Sequence, residues 1–137
     1  MYYIGDKDSY LLSIEDSGSN GKYQYAILDK DKVVGYVSYM VDFYAGCVYN
    51  FGLFGFDKGN KAIGAGLKEV IEQLEKLSFH RIEFRCIGGN PVKRHYDSYM
   101  GYLAKRGYVT ACYNLHDVMR DAKGLYHDEY IYEFIKR

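Results

Sequence analysis

Charge of one sign is the first thing missing from this sequence: 18 Lys and Arg balance 18 Asp and Glu. A chain whose main partner is nucleic acid carries a basic surplus against phosphate, so that class is excluded as its principal business. Long apolar runs are also missing, which excludes a membrane-spanning helix, and the start MYYIGDKDSY lacks the layout of a signal peptide. Cysteine is sparse. Cys47, Cys86 and Cys112 are odd in number and far apart, matching neither a disulfide framework nor a zinc spacing. They are expected to be reduced core residues of a cytoplasmic protein that holds no metal. Proline occurs once, at Pro91, and tryptophan not at all, while tyrosine occurs 17 times. Tyrosine suits strands, core edges and interfaces, so the bias points to a mixed sheet and to self-association as a homodimer.

What is present orders itself along one expected domain, residues 1–137. Residues 1–21 form a short polar N-terminal segment with at most one or two helical turns around 10–14. The stretches 22-KYQYAIL-28 and 32-KVVGYVSYMV-41 flank a polar turn and read as a hairpin. A third strand, 47-CVYNFGLFGF-56, has Gly52 and Gly55 inside it, where glycine marks a bulge or a close backbone approach. The period then changes. Ile63, Leu67, Val70, Ile71, Leu74 and Leu77 fall on one helical stripe. In 81-RIEFRCI-87, Ile82, Phe84 and Cys86 share one face and Arg81, Glu83 and Arg85 the other. Strand, helix and strand in that order predict a right-handed crossover between parallel strands. Asn90 is an N-cap and Pro91 a first helical residue for a second helix, whose stripe is Val92, Tyr96, Tyr99, Met100 and Leu103 and which Gly107 closes. Strands at roughly 108–117 and 125–135 complete an α/β order with a mixed sheet.

The run 57-DKGNKAIGAGLKEV-70 places Gly64 and Gly66 at the mouth of the first helix. It is no Walker A loop, since Ala65-Gly66 stands where Lys-Ser/Thr is required, and no dinucleotide fingerprint, since Glu69 occupies the third glycine position. A Lys61-x-x-Gly64-x-Gly66 run there can still aim backbone N–H groups and the positive helix end at one anion. An ordinary helix-entry turn is the alternative.

The order of elements and these motifs resemble the GNAT superfamily of N-acetyltransferases over about residues 22–135. That family's pyrophosphate loop, Arg/Gln-x-x-Gly-x-Gly/Ala, is matched by Lys61-Ala62-Ile63-Gly64-Ala65-Gly66, and its later asparagine and Gly-aromatic pair by Asn90 and Gly107-Tyr108. The resemblance implies a mixed, mostly antiparallel sheet with one parallel β-α-β crossover and two main helices. It implies acetyl-coenzyme A as acyl-donor substrate and an amine acceptor, on a small molecule, peptide or protein, that attacks the thioester directly. It also implies coenzyme contacts at Lys61 through Gly66 and Asn90, and a backbone N–H around Phe54, Gly55 or Phe56 that polarises the thioester carbonyl.

The chemistry asks for a proton acceptor for the amine and a donor for the departing thiolate. Glu83 is the nearest carboxylate by position and Asp57 the next, although a glutamate pKa near ~4.3 makes a poor base at neutral pH unless burial raises it. The family's tyrosine acid stands seven residues after the asparagine, where this chain has Asp97; Tyr99 and Tyr96 flank that slot and are the candidates, with core packing as their other role. Lys61 replaces the common Arg or Gln, and the fourth-strand exit lacks Val-x-Pro. The family's N-terminal strand and two helices are not evident, which fits a compact member, a longer chain, or a wall supplied by a partner. These departures also fit a non-catalytic coenzyme-binding or interaction module with the same fold. His80, His95, His116 and His127 are scattered, and 127-HDEY-130 on a strand cannot converge on one ion.

Overall fold

The computed structural model describes residues 9–14, 17–57 and 59–137. Seven strands and two helices follow each other: β1 (Leu11–Ser13), β2 (Lys22–Asp29), β3 (Lys32–Asp42), β4 (Cys47–Gly55), α1 (Lys61–Lys76), β5 (Arg81–Ile87), α2 (Lys93–Ala104), β6 (Val109–Arg120) and β7 (Tyr126–Ile135). They form one sheet in the order β1-β2-β3-β4-β5-β7-β6. Only β4 and β5 run parallel, joined by α1 as the crossover, and every other neighbouring pair is antiparallel. Alternation in β2 to β5 and the 3.6 period of α1 thus become the elements their patterns dictate.

The start of the chain differs from expectation. Residues 10–14 were expected to be at most a helical turn or two, and Leu11–Ser13 is a strand, with Leu11 opposite Ile27. The open edge of β2 supplies the reason: the Leu28 N–H donates to the Tyr10 carbonyl at 2.8 Å, and the Ile14 N–H to the Gln24 carbonyl at 3.1 Å. Non-local pairing overrides a weak local preference.

Both helices lie on the same face of the sheet. The Tyr102 hydroxyl on α2 donates to Glu75 of α1 at 3.1 Å, and Arg106 pairs with the same carboxylate at 3.0 Å. Between this layer and the sheet lies the core, where Leu67, Val70 and Ile71 of α1 meet Ile27, Phe51, Ile82 and Phe84. Each such residue contributes about 1.5–3 kcal/mol on burial. Three expected core positions are elsewhere, and of these Cys47, at the start of β4, is half-buried and outside the core. Leu77 caps the C-terminal end of α1 and is exposed, and Cys112 lies exposed on β6, the outer strand of the sheet. Gly107, with φ +92°, follows α2 as expected, and the Tyr108 N–H returns to the Leu103 carbonyl at 3.0 Å. Among the described residues no helix is long and apolar enough to cross a membrane, and no three His, Cys, Asp or Glu side chains converge as metal ligands.

Candidate active site

The parallel pair does not stay paired. β4 and β5 match Val48 with Ile82 and Phe51 with Phe84, and there the ladder ends, although β4 runs on to Gly55 and β5 to Ile87. A bulge separates the two halves of β4. It stands at Asn50, with φ +51°, and not at Gly52 or Gly55. Asparagine is among the few side chains that enter the left-handed region readily, so a glycine is not required there. Past the bulge the strands part. A half-open cleft of about 390 Å³ opens between Gly52, Leu53 and Phe54 on one side and Arg85, Cys86 and Ile87 on the other, with Asn90 and Glu129 at its edge.

Backbone direction decides which N–H groups face that gap. The Phe56 N–H donates to the Val34 carbonyl of β3 at 2.8 Å, with Phe54 opposite Tyr36 in the same register. N–H groups alternate sides along a strand, so Phe54 and Phe56 point toward β3, while Leu53 and Gly55 point into the gap. Of the three expected carbonyl-polarising positions only Gly55 is oriented that way. Leu53, which the sequence reading missed, joins it. The rings of Phe54 and Phe56 are exposed beside the opening.

Behind Leu53 and Cys86 lies Tyr96. Its side chain is fully buried, packed on Phe84 (ring centroids 4.7 Å) and edge-on to Phe51 and Tyr132. Its hydroxyl makes no well-formed hydrogen bond, although the Leu53 N–H lies close to it. Burial raises its pKa and Cys86 adds to the rise, while the nearby Leu53 N–H acts in the opposite sense. A buried hydroxyl without a well-formed hydrogen bond is destabilising by about 1–3 kcal/mol. Tyr99, the first choice from the sequence, lies in the seam between the helices. Its ring is edge-on to Tyr102, and burial, Tyr102, Glu72 and Glu75 push its pKa up to about 12. Asp97, in the slot of the family's tyrosine, accepts the hydroxyl of Tyr132 and pairs with Lys93 at 3.1 Å. Cys86 lines the gap as a neutral thiol, burial pushing its pKa up to about 11.

The glycine run is not an open loop. Asn60 caps α1, its Oδ1 accepting from the Ala62 N–H at 2.8 Å, and Lys61 through Gly66 form the first helical turns. Gly66 has a packing reason: a Cβ there would stand 2.9 Å from Ile27 Cγ2, so the glycine lets α1 approach the sheet. Gly64 faces α2 instead, where a Cβ would lie 3.2 Å from His95 Cε1. A second cleft, about 430 Å³, opens beside this contact and is lined by Gly55, Gly59, Asn90, Pro91, Arg94 and His95, among others. It shares Asn90 with the gap, so the two openings adjoin. Asn90 caps the turn that leads into α2, its Oδ1 accepting from the Val92 N–H at 3.1 Å, and regular helix begins at Lys93 rather than Pro91. Burial holds the His95 pKa low and Arg94 adds to the effect. The sequence does carry a signal for Arg94. Lys93 and Arg94 stand in the first turn of a helix, where the macrodipole disfavours cations, and only Lys93 of the two is paired with a carboxylate on the helix, Asp97.

Glu83, the expected proton acceptor, faces away from the helices. It accepts from Arg81 at 2.9 Å and from Arg85, and although burial alone raises its pKa, these two guanidiniums bring it below the usual glutamate value. A carboxylate held low is the reverse of what a base at neutral pH requires. Asp57 accepts from Asn60 at 3.1 Å and pairs with Lys32 at 3.7 Å. Lys61 is exposed on the first turn of α1.

No family sequence model matches the chain, and no curated protein matches it by sequence. Solved structures do. A ribosomal-protein-alanine N-acetyltransferase from Escherichia coli superposes with a TM-score of 0.65 at 15% identity, over 87% of this chain and 72% of that one. A probable acetyltransferase superposes at 0.60 and 19% identity, over 85% of this chain and 62% of its own. A probable acetyltransferase of the GNAT family from Chromobacterium violaceum superposes at 0.58 and 16% identity, over 86% and 61%. The chain therefore spans about three fifths of the length of two of these three proteins. Its fold is that of the GNAT acetyltransferases.

Proposed function

We propose that this chain transfers an acetyl group from acetyl-coenzyme A to a primary amine. The observation that carries the reading is the wedge between β4 and β5, with the Leu53 and Gly55 N–H groups directed into it and the buried Tyr96 hydroxyl behind it. The pantetheine arm of the donor would lie along the freed strand edges, as an added strand does. Its thioester carbonyl would accept from the Gly55 or Leu53 N–H, a preorganised donor whose removal from such a site slows turnover about 10²–10³-fold. The Tyr96 hydroxyl, in place of Tyr99, would supply the proton to the departing sulfur. The diphosphate would sit in the adjoining cleft at Gly59, Asn90, Arg94 and His95, beside the start of α1. Asp97 in the tyrosine slot favours a second reading, a module that binds the coenzyme without transferring its acetyl group.

A melting curve tests coenzyme binding. Acetyl-coenzyme A at 100 times its dissociation constant is expected to add about 2.7 kcal/mol to stability, and no shift at millimolar coenzyme would remove both readings. Thiol release over a panel of amines then separates transfer from binding. Tyr96→Phe deletes a buried hydroxyl that makes no well-formed hydrogen bond, so the variant is expected to melt as high as the parent or higher, by about 1 kcal/mol. It should keep its coenzyme shift and lose about tenfold or more in thiol release. Unchanged thiol release would leave that tyrosine a packing residue.

A further inference from the structure

The face of the sheet opposite the helices carries a row of charges. Arg81, Glu83 and Arg85 of β5 and Glu129 and Glu133 of β7 share it, because Glu83 stands opposite Glu133 and Ile87 opposite Glu129. Arg81 binds Glu133 and Glu83 at 2.9 Å each, and Arg85 grips the other oxygen of Glu83. Arg85 then reaches Glu129 only at 3.4 Å, the longest contact of the row. Three carboxylates meet two guanidiniums, so one negative charge is in excess. It resides at Glu129, whose single partner is the most weakly held. Among the described residues that line the gap, Glu129 is the only carboxylate, beside Gly52, Leu53 and Phe54. Beside it Phe54 is half exposed and packs at 6.2 Å from Tyr36, giving the opening an aromatic wall that a cation can lie against.

We infer that Glu129 holds the acceptor's amino group and takes its proton, and that the acceptor is a primary alkylammonium ion entering from the face opposite the helices. The inference rests on the acetyl-transfer reading of the gap. An alkylamine arrives protonated, with a pKa near ~10. Glu129 accepts hydrogen bonds from it and orients the nitrogen toward the thioester lying in the gap. The deprotonated nitrogen attacks the carbonyl carbon; the C–N bond forms and the C–S bond breaks, the sulfur leaving with the electron pair. Of the two protons the nitrogen loses, one passes through Glu129 to solvent. The other balances the proton the sulfur gains. Glu83 does not fill this role, because both its oxygens are occupied by arginine.

The test is thiol release from acetyl-coenzyme A with n-butylamine, putrescine and β-alanine as probes. The parent is expected to use n-butylamine or putrescine. Glu129→Gln is expected to raise the amine KM about tenfold or more and to lower kcat, while the coenzyme-dependent melting shift stays at the parental value. Glu129→Asp should recover part of the loss. Glu72→Gln removes the same unit of charge on the exposed side of α1, outside the row, and should leave the amine KM within about twofold, as a surface charge remote from bound substrate does. A Glu129→Gln variant with parental KM and kcat, an equal KM rise in Glu72→Gln, or a parent active on β-alanine alone would each overturn the inference while leaving acetyl transfer standing. A parent that melts higher with coenzyme yet releases no thiol with any amine overturns acetyl transfer and the inference together. A parent without the melting shift overturns the coenzyme site itself.

Discussion

Gly64→Asp is expected to abolish the stabilisation by acetyl-coenzyme A and leave the fold intact. The position is partly exposed on the second turn of α1, and a Cβ there meets His95 at 3.2 Å, tighter than an ordinary contact. The aspartate must therefore push His95 aside, and it brings a carboxylate to the cleft shared with Arg94 and Asn90. Repulsion from a diphosphate adds to the lost space. At a coenzyme concentration that gives the parent about 2.7 kcal/mol, the variant should gain almost nothing. Gly64→Ala is the control. It adds one methyl group, asks His95 to move by a few tenths of an ångström, and improves the helix by about 0.5–1 kcal/mol. It should melt above the parent and keep most of the coenzyme shift. A folded Gly64→Asp protein with the parental shift would place the diphosphate elsewhere.

The same glycine shows how far the sequence could be read. Periodicity located α1, β5 and the parallel crossover, because each depends on residues close in the chain. Where α1 begins is set by its cap: two glycines fit an open loop or an ordinary helix-entry turn alike, and Asn60, three residues upstream of Ile63, starts the helix ahead of both. One glycine serves packing against Ile27, a contact between residues far apart in sequence. Gly52 and Gly55 signal a bulge or a close approach without deciding between them, and the bulge stands at Asn50, which enters the left-handed region more readily than most side chains. β1 was hidden for a different reason. Three residues carry too little pattern, and only the open edge of β2 makes them a strand. Tyr96 and Tyr99 lie about 60° apart around one helix, so their stripe could not say which reaches the gap and which the seam with α1. Glu83 was placed on the correct face beside Arg81 and Arg85, and that neighbourhood makes it a structural anion. Glu129 escaped notice because it reaches the gap only through the non-local pairing of β7 with β5.

Glu83→Gln is expected to destabilise the protein by about 2–3 kcal/mol at pH 7, or about 6–12 °C in Tm. The carboxylate is 7% exposed and both its oxygens accept from arginine, so an amide leaves Arg81 and Arg85 with only Glu133 and Glu129. The arginines are 27% and 42% exposed, and water re-solvates part of their charge; hence the figure lies below the loss for a fully buried pair. The pH dependence has a definite sign. In the folded chain Glu83 has a pKa below its unfolded value near 4.5. Its contribution is therefore complete above that unfolded value and is lost as pH falls through the folded one. The glutamine variant has no such proton to bind. The stability gap between parent and variant should thus be widest at neutral pH and shrink steadily once pH drops below the ordinary glutamate range. Denaturant unfolding of both proteins at pH 7 and at about pH 3 measures it. A gap of the same size at both pH values would mean that the arginines do not hold this carboxylate low. No gap at pH 7 would mean that the charge row contributes nothing to the fold, and the excess charge assigned to Glu129 would lose its rigid support.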